Sequence, residues 1–300
     1  MNRLTLTALV LLLPLTVLAD APPTPSADAA SARAELLRSY RRLLPLEGGS
    51  NFRDLGGYVT TDGREVRRGL LFRSGAMTGL TEADMVYLDR FAFRTVVDLR
   101  SAEEVELYPN RWIPGRDIAY RRHDYSMVDL MKRAAGRGQA ASGDYSAMYL
   151  YLAEMLKPQL TLYFDALLAE EVPAVVNCSA GQDRTGITSA LLLSVLGVER
   201  DLIVEDYLLS TDFRRPEKEK GDVDLAAAAE TNAFAAMMLQ YGRGRDTSRP
   251  NPLVTTDGTP FLQLTFDAIE VRYGSVAAYL DEEIGVSPQE QARLRALYLR

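Results

Sequence analysis

A cysteine and an arginine with five residues between them carry the chemistry that this chain suggests. Cys178, the only cysteine, ends an apolar strand-like segment, and Arg184 lies just before a helical pattern. A loop between a strand and a helix N-terminus turns backbone N–H groups inward, and together with the helix dipole these groups hold a dianion. The same field stabilises a thiolate over a thiol. Arg184 can then bind two phosphoryl oxygens while the thiolate of Cys178 attacks phosphorus and forms a phospho-cysteine.

The loop and the first helical turn supply the predicted phosphate ligands. A lone cysteine at a strand end is more often a small hydrophobic residue, but the loop glycine, the strand before it and the helix after it are the context that a catalytic motif requires. Thr185 can donate its hydroxyl to the departing thiolate in the second step, or it can cap the helix. The predicted phosphate-binding residues are Ser179, Ala180, Gly181, Gln182, Asp183, Arg184 and Thr185.

A phosphate ester breaks more easily when an acid protonates its leaving group, and three aspartates are candidates for that acid. Asp183 ranks first because it lies in the loop itself, although a carboxylate there can equally be an orienting group. Asp98 ranks second, since it ends a neighbouring predicted strand. Its alternative role is structural, as an ion-pair partner of Arg100 or Arg184. Asp124 ranks third because nothing in its spacing requires it to approach the loop. The predicted catalytic residues are therefore Cys178, Arg184, Asp183 and Asp98.

Composition excludes several other functions. The chain has 300 residues, of which 47% are hydrophobic and 25% are charged, and this is typical of a globular protein with a sizeable core. The formal net charge of −7 argues against general nucleic-acid binding, so anion binding must be local. One cysteine and one histidine cannot supply a typical zinc ligand set, and we predict neither a metal nor another cofactor. The histidine, His123, is predicted to lie in a surface loop.

Residues 1–19 predict a secretory signal peptide. Arg3 precedes an apolar run that ends near Leu18, and Ala19 places a small residue where a signal peptidase reads the chain. The run spans about 15 residues and contains a proline, so it falls short of the roughly 20 that a membrane-spanning helix needs, and no stable membrane insertion is expected. Residues 20–34, rich in Ala, Pro and Ser, predict a flexible leader, and residues 35–300 one catalytic domain. The predicted location is the periplasm or the outside of the cell.

Periodicity and turn chemistry place the cysteine loop in an alternating pattern of strands and helices, which is typical of an α/β fold. In chain order before Cys178, the predicted elements are a hairpin over residues 58–72 with Asp62-Gly63 in its turn, a helix opened by Thr81 with Asp84 and ending near Arg90, a strand over residues 94–99, a short helix opened by Ser101 with Glu104, a mobile loop over residues 134–143, and two helices over residues 145–171 interrupted at Pro158.

The chain beyond Ser210 changes character, with an insertion over about residues 212–260. Its predicted parts are a charged, turn-like segment over residues 214–224, an Ala/Met-rich helix over residues 226–239 and a loop over residues 242–260. The last 40 residues or so predict two more helices, the final one opened by a capping box of Ser287 with Glu290.

The loop resembles the signature of cysteine-dependent protein tyrosine phosphatases, His-Cys-x5-Arg-Ser/Thr. More closely, Cys-x-Ala-Gly-x-Asp-Arg-Thr-Gly is similar to the bacterial protein tyrosine phosphatase family that includes the mycobacterial secreted phosphatase B. The resemblance runs from about Glu47 to the C-terminus and is carried, in the family's order, by further segments: Asn51-Phe52-Arg53-Asp54-Leu55-Gly56-Gly57-Tyr58, Leu71-Phe72-Arg73-Ser74-Gly75, Thr95-Val96-Val97-Asp98-Leu99-Arg100-Ser101, Asp206-Tyr207-Leu208-Leu209-Ser210, and Ala268-Ile269-Glu270 with Arg272-Tyr273-Gly274-Ser275.

The resemblance implies an α/β fold of the cysteine-phosphatase type, with a central, mostly parallel sheet flanked by helices. In the resembled family, the region that corresponds to the insertion over residues 212–260 forms helices that cover the active site, so a lid is one interpretation of it. A surface excursion is the other, because Met-rich helical faces more often belong to a core than to a substrate-gripping surface.

Two residues depart from the family pattern. Asn177 occupies the position of the family's histidine, which hydrogen-bonds within the loop, and an asparagine carries no possible positive charge there. We therefore expect weaker stabilisation of the thiolate. Gln182 occupies the position where many members have a lysine that the resemblance links to phosphoinositide binding, so phosphotyrosine gains relative weight as a substrate.

These residues predict an exported, metal-independent protein tyrosine phosphatase acting on phosphorylated proteins or other phosphoesters. A phosphoinositide or inositol phosphate phosphatase is the second hypothesis, against which Gln182 counts. A third is a non-catalytic binder of phosphorylated ligands, which Asn177 permits but the intact Cys178 and Arg184 oppose. Sulfur transfer by a rhodanese-like loop is remote, because such loops do not require the following Asp-Arg-Thr-Gly. The oligomeric state stays open.

Overall fold

The central sheet has five strands and is mixed, with all but one strand pair parallel. The computed structural model describes residues 41–136, 145–244 and 246–300. Within them the strand order is β1-β2-β5-β3-β4, and only β1 runs antiparallel to its neighbour. The strands are β1 (Arg53–Asp54), β2 (Leu71–Ser74), β3 (Thr95–Asp98), β4 (Ala119–Arg122) and β5 (Ala174–Asn177).

The predicted α/β fold is confirmed, since helices flank this sheet. The α-helices are α1 (Glu82–Asp89), α2 (Ala102–Leu107), α3 (Met127–Gly136), α4 (Tyr145–Met155), α5 (Lys157–Leu168), α6 (Asp183–Leu196), α7 (Arg200–Leu208), α8 (Ser210–Phe213), α9 (Pro216–Glu219), α10 (Leu225–Ala228), α11 (Ala233–Gly242), α12 (Phe261–Tyr273), α13 (Val276–Tyr279) and α14 (Pro288–Tyr298), with a π-helical turn at Leu280–Ile284.

The inner strands β2, β3 and β5 are buried along their whole length, and each contains at least two consecutive apolar residues. Alternate residues of β5 enter two different cores: Val175 packs in a cluster that includes Phe72, Phe93 and Trp112, whereas Val176 packs in a larger cluster with helices α4 to α7 and α12 to α14. Aromatic rings in the first cluster meet edge to face, for example Phe93 and Trp112 with centroids 5.1 Å apart. The sheet therefore has a rigid centre directly below the cysteine.

All three predicted capping boxes are present. The side chains of Thr81, Ser101 and Ser287 each accept a hydrogen bond from a backbone N–H of the helix that they cap. Pro158 lies in the first turn of α5, where its missing N–H costs no helical hydrogen bond, so the predicted break between α4 and α5 is confirmed. These local patterns carried enough information to place the helices that flank the site.

Four element predictions need correction. The helix expected over residues 226–239 is two helices, because the side chain of Asn232 caps α11 by accepting from the N–H of Ala235. The expected hairpin over residues 58–72 forms its turn, but its strands reduce to isolated bridges and β2 pairs instead with β1 and β5. Helix α3 extends into the predicted loop over residues 134–143, and the C-terminal region holds more than two helices.

The insertion over residues 212–260 packs against the helices beside the sheet. Phe234 and Ala235 of α11 are buried against Leu107 and Tyr108 at the end of α2. Asn232 also donates to the carbonyl of Glu103, one residue before Glu104. The insertion thus lies next to α2, and its role as a lid stays a prediction.

The signal peptide and leader predicted over residues 1–34 lie outside the described residues, as do residues 137–143 of the predicted mobile loop. In the parts of the chain that are described, no helix combines the length and the apolar character needed to cross a membrane.

Candidate active site

The loop over residues 178–182 connects β5 to α6 at the carboxyl edge of the sheet. Its carbonyl groups are fixed from outside: Ser179 O accepts from Ala76 N at 2.8 Å, and Gly181 O accepts from Asn51 Nδ2 at 2.9 Å and from Arg73 Nη2 at 2.7 Å. In a trans peptide the carbonyl and the following N–H point in opposite directions. The N–H groups of residues 180 and 182 therefore face inward, as a phosphate cradle requires.

Gly181 lets this loop approach the end of β2. It has a φ of +66°, a region that disfavours other residues, and a Cβ here would lie 2.6 Å from Gly75 N and 2.7 Å from the carbonyl carbon of Ser74. Asn51, whose amide holds the same loop, also has a left-handed φ, of +57°. Both left-handed positions lie where the loop packs against the end of β2.

Arg184 is held by a buried glutamate that the sequence assigned only to helix capping. Nη1 and Nη2 of Arg184 donate to the two carboxylate oxygens of Glu104, each at 2.6 Å, and Nη1 also donates to the Tyr125 hydroxyl at 2.8 Å. Glu104 in turn accepts from the hydroxyl of Ser179 at 2.5 Å. The fork of Arg184 is thereby oriented, and its Nε takes no partner among the described residues.

Glu104 and Arg184 each stabilise the charged form of the other. Burial alone would raise the pKa of Glu104, but Arg184 and the hydrogen bonds from Ser179 and Ser101 lower it to about 2. Burial opposes a charged Arg184 as well, yet Glu104 and Tyr125 keep the pKa of Arg184 well above its ordinary value. Both groups are therefore ionised at neutral pH.

Cys178 and Asn177, the residue before it, are buried at the end of β5. Cys178 is 1% exposed at the base of the loop. Thr185 is buried, and its hydroxyl has no hydrogen-bond partner among the described residues, so it is free to donate to the sulfur. Asn177 is fully buried, and neither atom of its amide finds a partner in the described part of the chain. Gln182 is buried and accepts from Arg214 Nη1 at 2.5 Å.

Asp183 opens α6 and is anchored through two tyrosines that sequence reasoning missed. Its Oδ1 accepts from the Tyr149 hydroxyl, which accepts in turn from the Tyr207 hydroxyl at 2.7 Å. Burial, together with the Asp183 carboxylate, raises the pKa of Tyr149 well above its ordinary value, so the phenol keeps its proton and donates it. Since these tyrosines come from α4 and α7, no local sequence pattern could have revealed the network.

Asp98 and Asp124 lie in different surroundings. Asp98 is fully buried, and Arg100 donates to both of its oxygens, at 2.9 Å and 2.6 Å, while the Tyr120 hydroxyl adds a third bond at 2.8 Å. Asp124 is 73% exposed and pairs with Arg122. The geometry favours the structural alternative for Asp98, and of the three aspartates Asp183 is the one that adjoins Arg184 in the first turn of α6.

A second cluster below the loop explains several residues that the resemblance quoted without a role. Asp206 of α7 accepts from Arg73 Nη1 at 2.6 Å and from Arg53 Nε at 3.1 Å, and all three side chains are buried. Arg42 adds a third guanidinium at 2.8 Å. Because Arg73 also donates to Gly181 O, this cluster connects β1, β2 and α7 to the loop over residues 178–182, called the phosphate loop below.

Comparison with known proteins agrees with this geometry. A sequence model described as "Tyrosine phosphatase family" matches residues 44–300. The chain belongs to the tyrosine phosphatase family. It is 28% identical over 286 residues to the Triple specificity protein phosphatase PtpB of Mycobacterium tuberculosis, covering 85% of this chain and 98% of the relative. The resemblance found in the sequence is thus confirmed, as is the prediction of an enzyme of this family.

Two further relatives are similar over most of the chain. A putative tyrosine-protein phosphatase of Cupriavidus necator is 29% identical over 262 residues, covering 83% of this chain and 86% of the relative. A tyrosine-protein phosphatase of Nostoc commune is 27% identical over 228 residues, covering 74% and 72% respectively.

Within the ranges that the structure describes, the side chains that could bind a metal are not clustered. Among the described residues, no group of three or more His, Cys, Asp or Glu side chains could hold an ion. The positive charge in the site comes instead from Arg184, Arg214 and inward backbone N–H groups. The arrangement therefore has the parts for phosphoryl transfer to a thiolate.

Proposed function

We propose that this protein is an exported, metal-independent phosphatase that hydrolyses phosphotyrosyl proteins through a phospho-cysteine intermediate. One observation carries the proposal: Arg184, oriented by its ion pair with the buried Glu104, lies in the first turn of α6, and the five residues between it and the buried Cys178 are the loop and the helix start. An arginine in this position can follow the phosphoryl oxygens as phosphorus becomes trigonal bipyramidal.

The chemistry balances in two steps. In the first, the thiolate of Cys178 forms an S–P bond, the P–O bond to the phenol breaks, and Asp183 supplies the proton that the phenolate takes up. In the second, water attacks phosphorus, Asp183 accepts its proton, and the S–P bond breaks to give inorganic phosphate. Thr185 donates a hydrogen bond to the departing thiolate.

The preference for phosphotyrosine rests on depth and on charge. Cys178 is 1% exposed at the base of its loop, so a long aryl phosphate reaches it more readily than a short seryl phosphate does. Gln182 places no charge where a polyphosphorylated substrate would need one. Two relatives are named tyrosine-protein phosphatases, which supports the same substrate class.

The decisive experiment measures turnover of phosphotyrosyl and phosphoseryl peptides and of phosphoinositides, with EDTA present, for the native protein and for Cys178→Ser. We expect hydrolysis of the phosphotyrosyl peptides by the native protein only. Cys178→Ser should still bind phosphate esters, because the loop and Arg184 remain. Turnover by Cys178→Ser would contradict the covalent mechanism, binding without turnover by the native protein would indicate a non-catalytic binder, and a preference for phosphoinositides would favour the lipid phosphatase.

Export is a separate part of the proposal and rests on the charged start, short apolar run and small residues of positions 1–19. Expression of the full chain in a Gram-negative host should yield a periplasmic or extracellular protein that begins after residue 19. Recovery of an uncleaved chain from the cytoplasm would contradict it.

A further inference from the structure

Arg214 lies beside the phosphate loop, just after helix α8 (Ser210–Phe213). Its Nη1 donates to Oε1 of Gln182 at 2.5 Å, and Gln182 directly precedes Asp183 at the helix start. Gln182 is 2% exposed, whereas the Arg214 side chain is 20% exposed. The guanidinium therefore contacts the loop with one nitrogen while part of it remains open to solvent.

Arg214, like Arg184, is held by a bidentate ion pair with a glutamate. Its Nε and Nη2 donate to the two carboxylate oxygens of Glu219 at 2.8 Å and 2.9 Å, whereas Arg184 binds both oxygens of Glu104 through Nη1 and Nη2. Both carboxylates are buried. An arginine whose planar fork is fixed in advance loses less conformational freedom when it binds an anion. Two pre-oriented guanidinium groups thus flank one loop.

The surroundings of Arg214 face the reacting groups. Burial lowers its pKa, but Glu219, and after it Asp183 and Cys178, raise the pKa above its ordinary value, so the guanidinium lies within electrostatic reach of the nucleophile. The amide nitrogen of Gln182 is buried and has no partner among the described residues. The amide N–H groups of Gln182 therefore have no acceptor among the described residues, and the guanidinium of Arg214 lies beside them.

We propose that Arg214 and Gln182 form a second anion subsite, which selects phosphotyrosyl peptides carrying another acidic group beside the phosphotyrosine. This proposal rests on the proposed function and specifies which phosphotyrosyl peptides the enzyme prefers. A carboxylate or a second phosphoryl group of the peptide binds the exposed edge of Arg214, and the loop holds the phosphotyrosine.

The test compares two phosphotyrosyl peptides that differ only in the residues flanking the phosphotyrosine, glutamates in one and glutamines in the other. For the native protein, kcat/KM should favour the acidic peptide. A charge-assisted hydrogen bond to an arginine corresponds to about a tenfold difference, so Arg214→Gln should lower this preference by about that factor. Gln182→Lys, which adds a cation at the subsite, should raise it.

Arg64→Gln is the matched control. It removes the same charge from an arginine paired with Asp62 in the turn that contacts Gly197, at the far end of α6 and about 20 Å from the loop by helix length. The preference should not change. Melting temperatures report whether each variant folds, and should Arg214→Gln fail to fold, Arg214→Lys, which keeps the charge but loses the fork, should show an intermediate preference.

Binding of the same peptides to Cys178→Ser and to Cys178→Ser with Arg214→Gln separates the subsite from turnover. A tenfold smaller affinity ratio in the double variant supports the subsite even if the native protein hydrolyses neither peptide, a result that would contradict only the proposed function. Equal losses for both peptides, or none, would overturn the subsite. A larger effect of Arg214→Gln on a phosphoinositide headgroup than on either peptide would reassign it to a lipid substrate and overturn the proposal.

Discussion

At the residue scale, the site depends on side chains that carry charge only because another buried charge faces them. Glu104 is fully buried, and yet its pKa is about 2, because the attraction of Arg184 outweighs the cost of desolvating the carboxylate. The lowered pKa means that ionised Glu104 stabilises the fold. This contribution is complete above the unfolded-state pKa of about 4.3, amounts to about 3 kcal/mol, and is lost as the pH falls toward 2.

Glu104→Gln should therefore leave Arg184 without its counter-charge and reduce the free energy of unfolding at pH 7 by about 3 kcal/mol. Because the guanidinium also loses its orientation, kcat/KM should fall by about 100-fold. Urea unfolding from pH 7 to pH 3 measures the first effect, and the native and variant curves should converge in acid. Glu103→Gln, one residue away on a half-buried side chain, is the control, and an equal loss from it would contradict the role of Glu104.

Asn177 lies one residue before the nucleophile with an amide that has no hydrogen-bond partner among the described residues. Asn177→His introduces a group that can carry a positive charge near the thiolate. We expect the acidic limb of the pH–rate profile to move to lower pH, because the thiolate is the reacting form. Inactivation by iodoacetate should become faster near a pH of about 6. Superimposable profiles of the two proteins would show that residue 177 does not control the nucleophile.

At the scale of elements, the conformation of the phosphate loop, residues 178–182, depends on its close contact with the end of β2. The carbonyl of Gly181 accepts hydrogen bonds from Asn51 and Arg73. Because Gly181 has no Cβ, the backbone of Gly75 can lie beside it. Strand end, loop and helix start are thus a single rigid unit. Rigidity matters here, since a loop that must relax before binding phosphate loses the advantage of preorganised N–H groups.

Gly181→Ala should displace this unit. The substitution combines a left-handed φ of +66° with a contact of 2.6 Å between the new Cβ and Gly75 N. Because Gly75 N is a backbone atom, it cannot move aside as a flexible side chain would. We expect a stability loss above the roughly 1 to 2 kcal/mol of the conformational cost alone, and at least a 100-fold loss in kcat/KM. Gly63→Ala isolates that conformational cost, because Gly63 has a φ of +84° with no atom near its missing Cβ. Equal effects of the two on activity would show that the close approach is unnecessary.

The sequence predicts elements well where the determining interaction is local. Thr81 and Ser101 predict the starts of their helices because a capping box involves only the N-cap residue and the residue three positions later. The helix over residues 226–239 was wrong, since Asn232 is a cap whose amide also donates to Glu103 in a distant helix. Glu104 was identified as a capping residue alone. Its bond to Arg184 joins residues 80 positions apart, and a single sequence contains no signal for such a contact.

At the scale of the whole molecule, one aspartate joins elements that are far apart in the chain. Asp206 connects β1 through Arg53 and β2 through Arg73, and Arg73 reaches the phosphate loop. The protein has a net charge of −7, yet it concentrates buried arginines at the carboxyl edge of the sheet, beside the loop over residues 178–182. This concentration is stable only while Asp206 is ionised, because two buried guanidinium groups would otherwise face each other unpaired.

Asp206→Asn tests this dependence. Leaving Arg53 and Arg73 buried without a carboxylate should cost about 3–5 kcal/mol, a large part of the roughly 5–15 kcal/mol that stabilises a typical protein. The urea midpoint at pH 7 measures the loss. Asp129→Asn, which removes an exposed partner of Lys132, should leave the midpoint close to that of the native protein.

The pH dependence gives an independent check of the same prediction. Burial would raise the pKa of Asp206, but Arg53, Arg73 and Arg42 hold it well below its ordinary value. Its stabilising contribution is therefore complete above the unfolded-state pKa of about 3.9 and is lost only as the pH falls below it. The native protein should lose stability in that acidic range, while Asp206→Asn lacks this part of the loss. The two unfolding free energies should thus approach each other in acid, and a constant difference between them down to pH 2 would show that the charge of Asp206 is not what holds the cluster together.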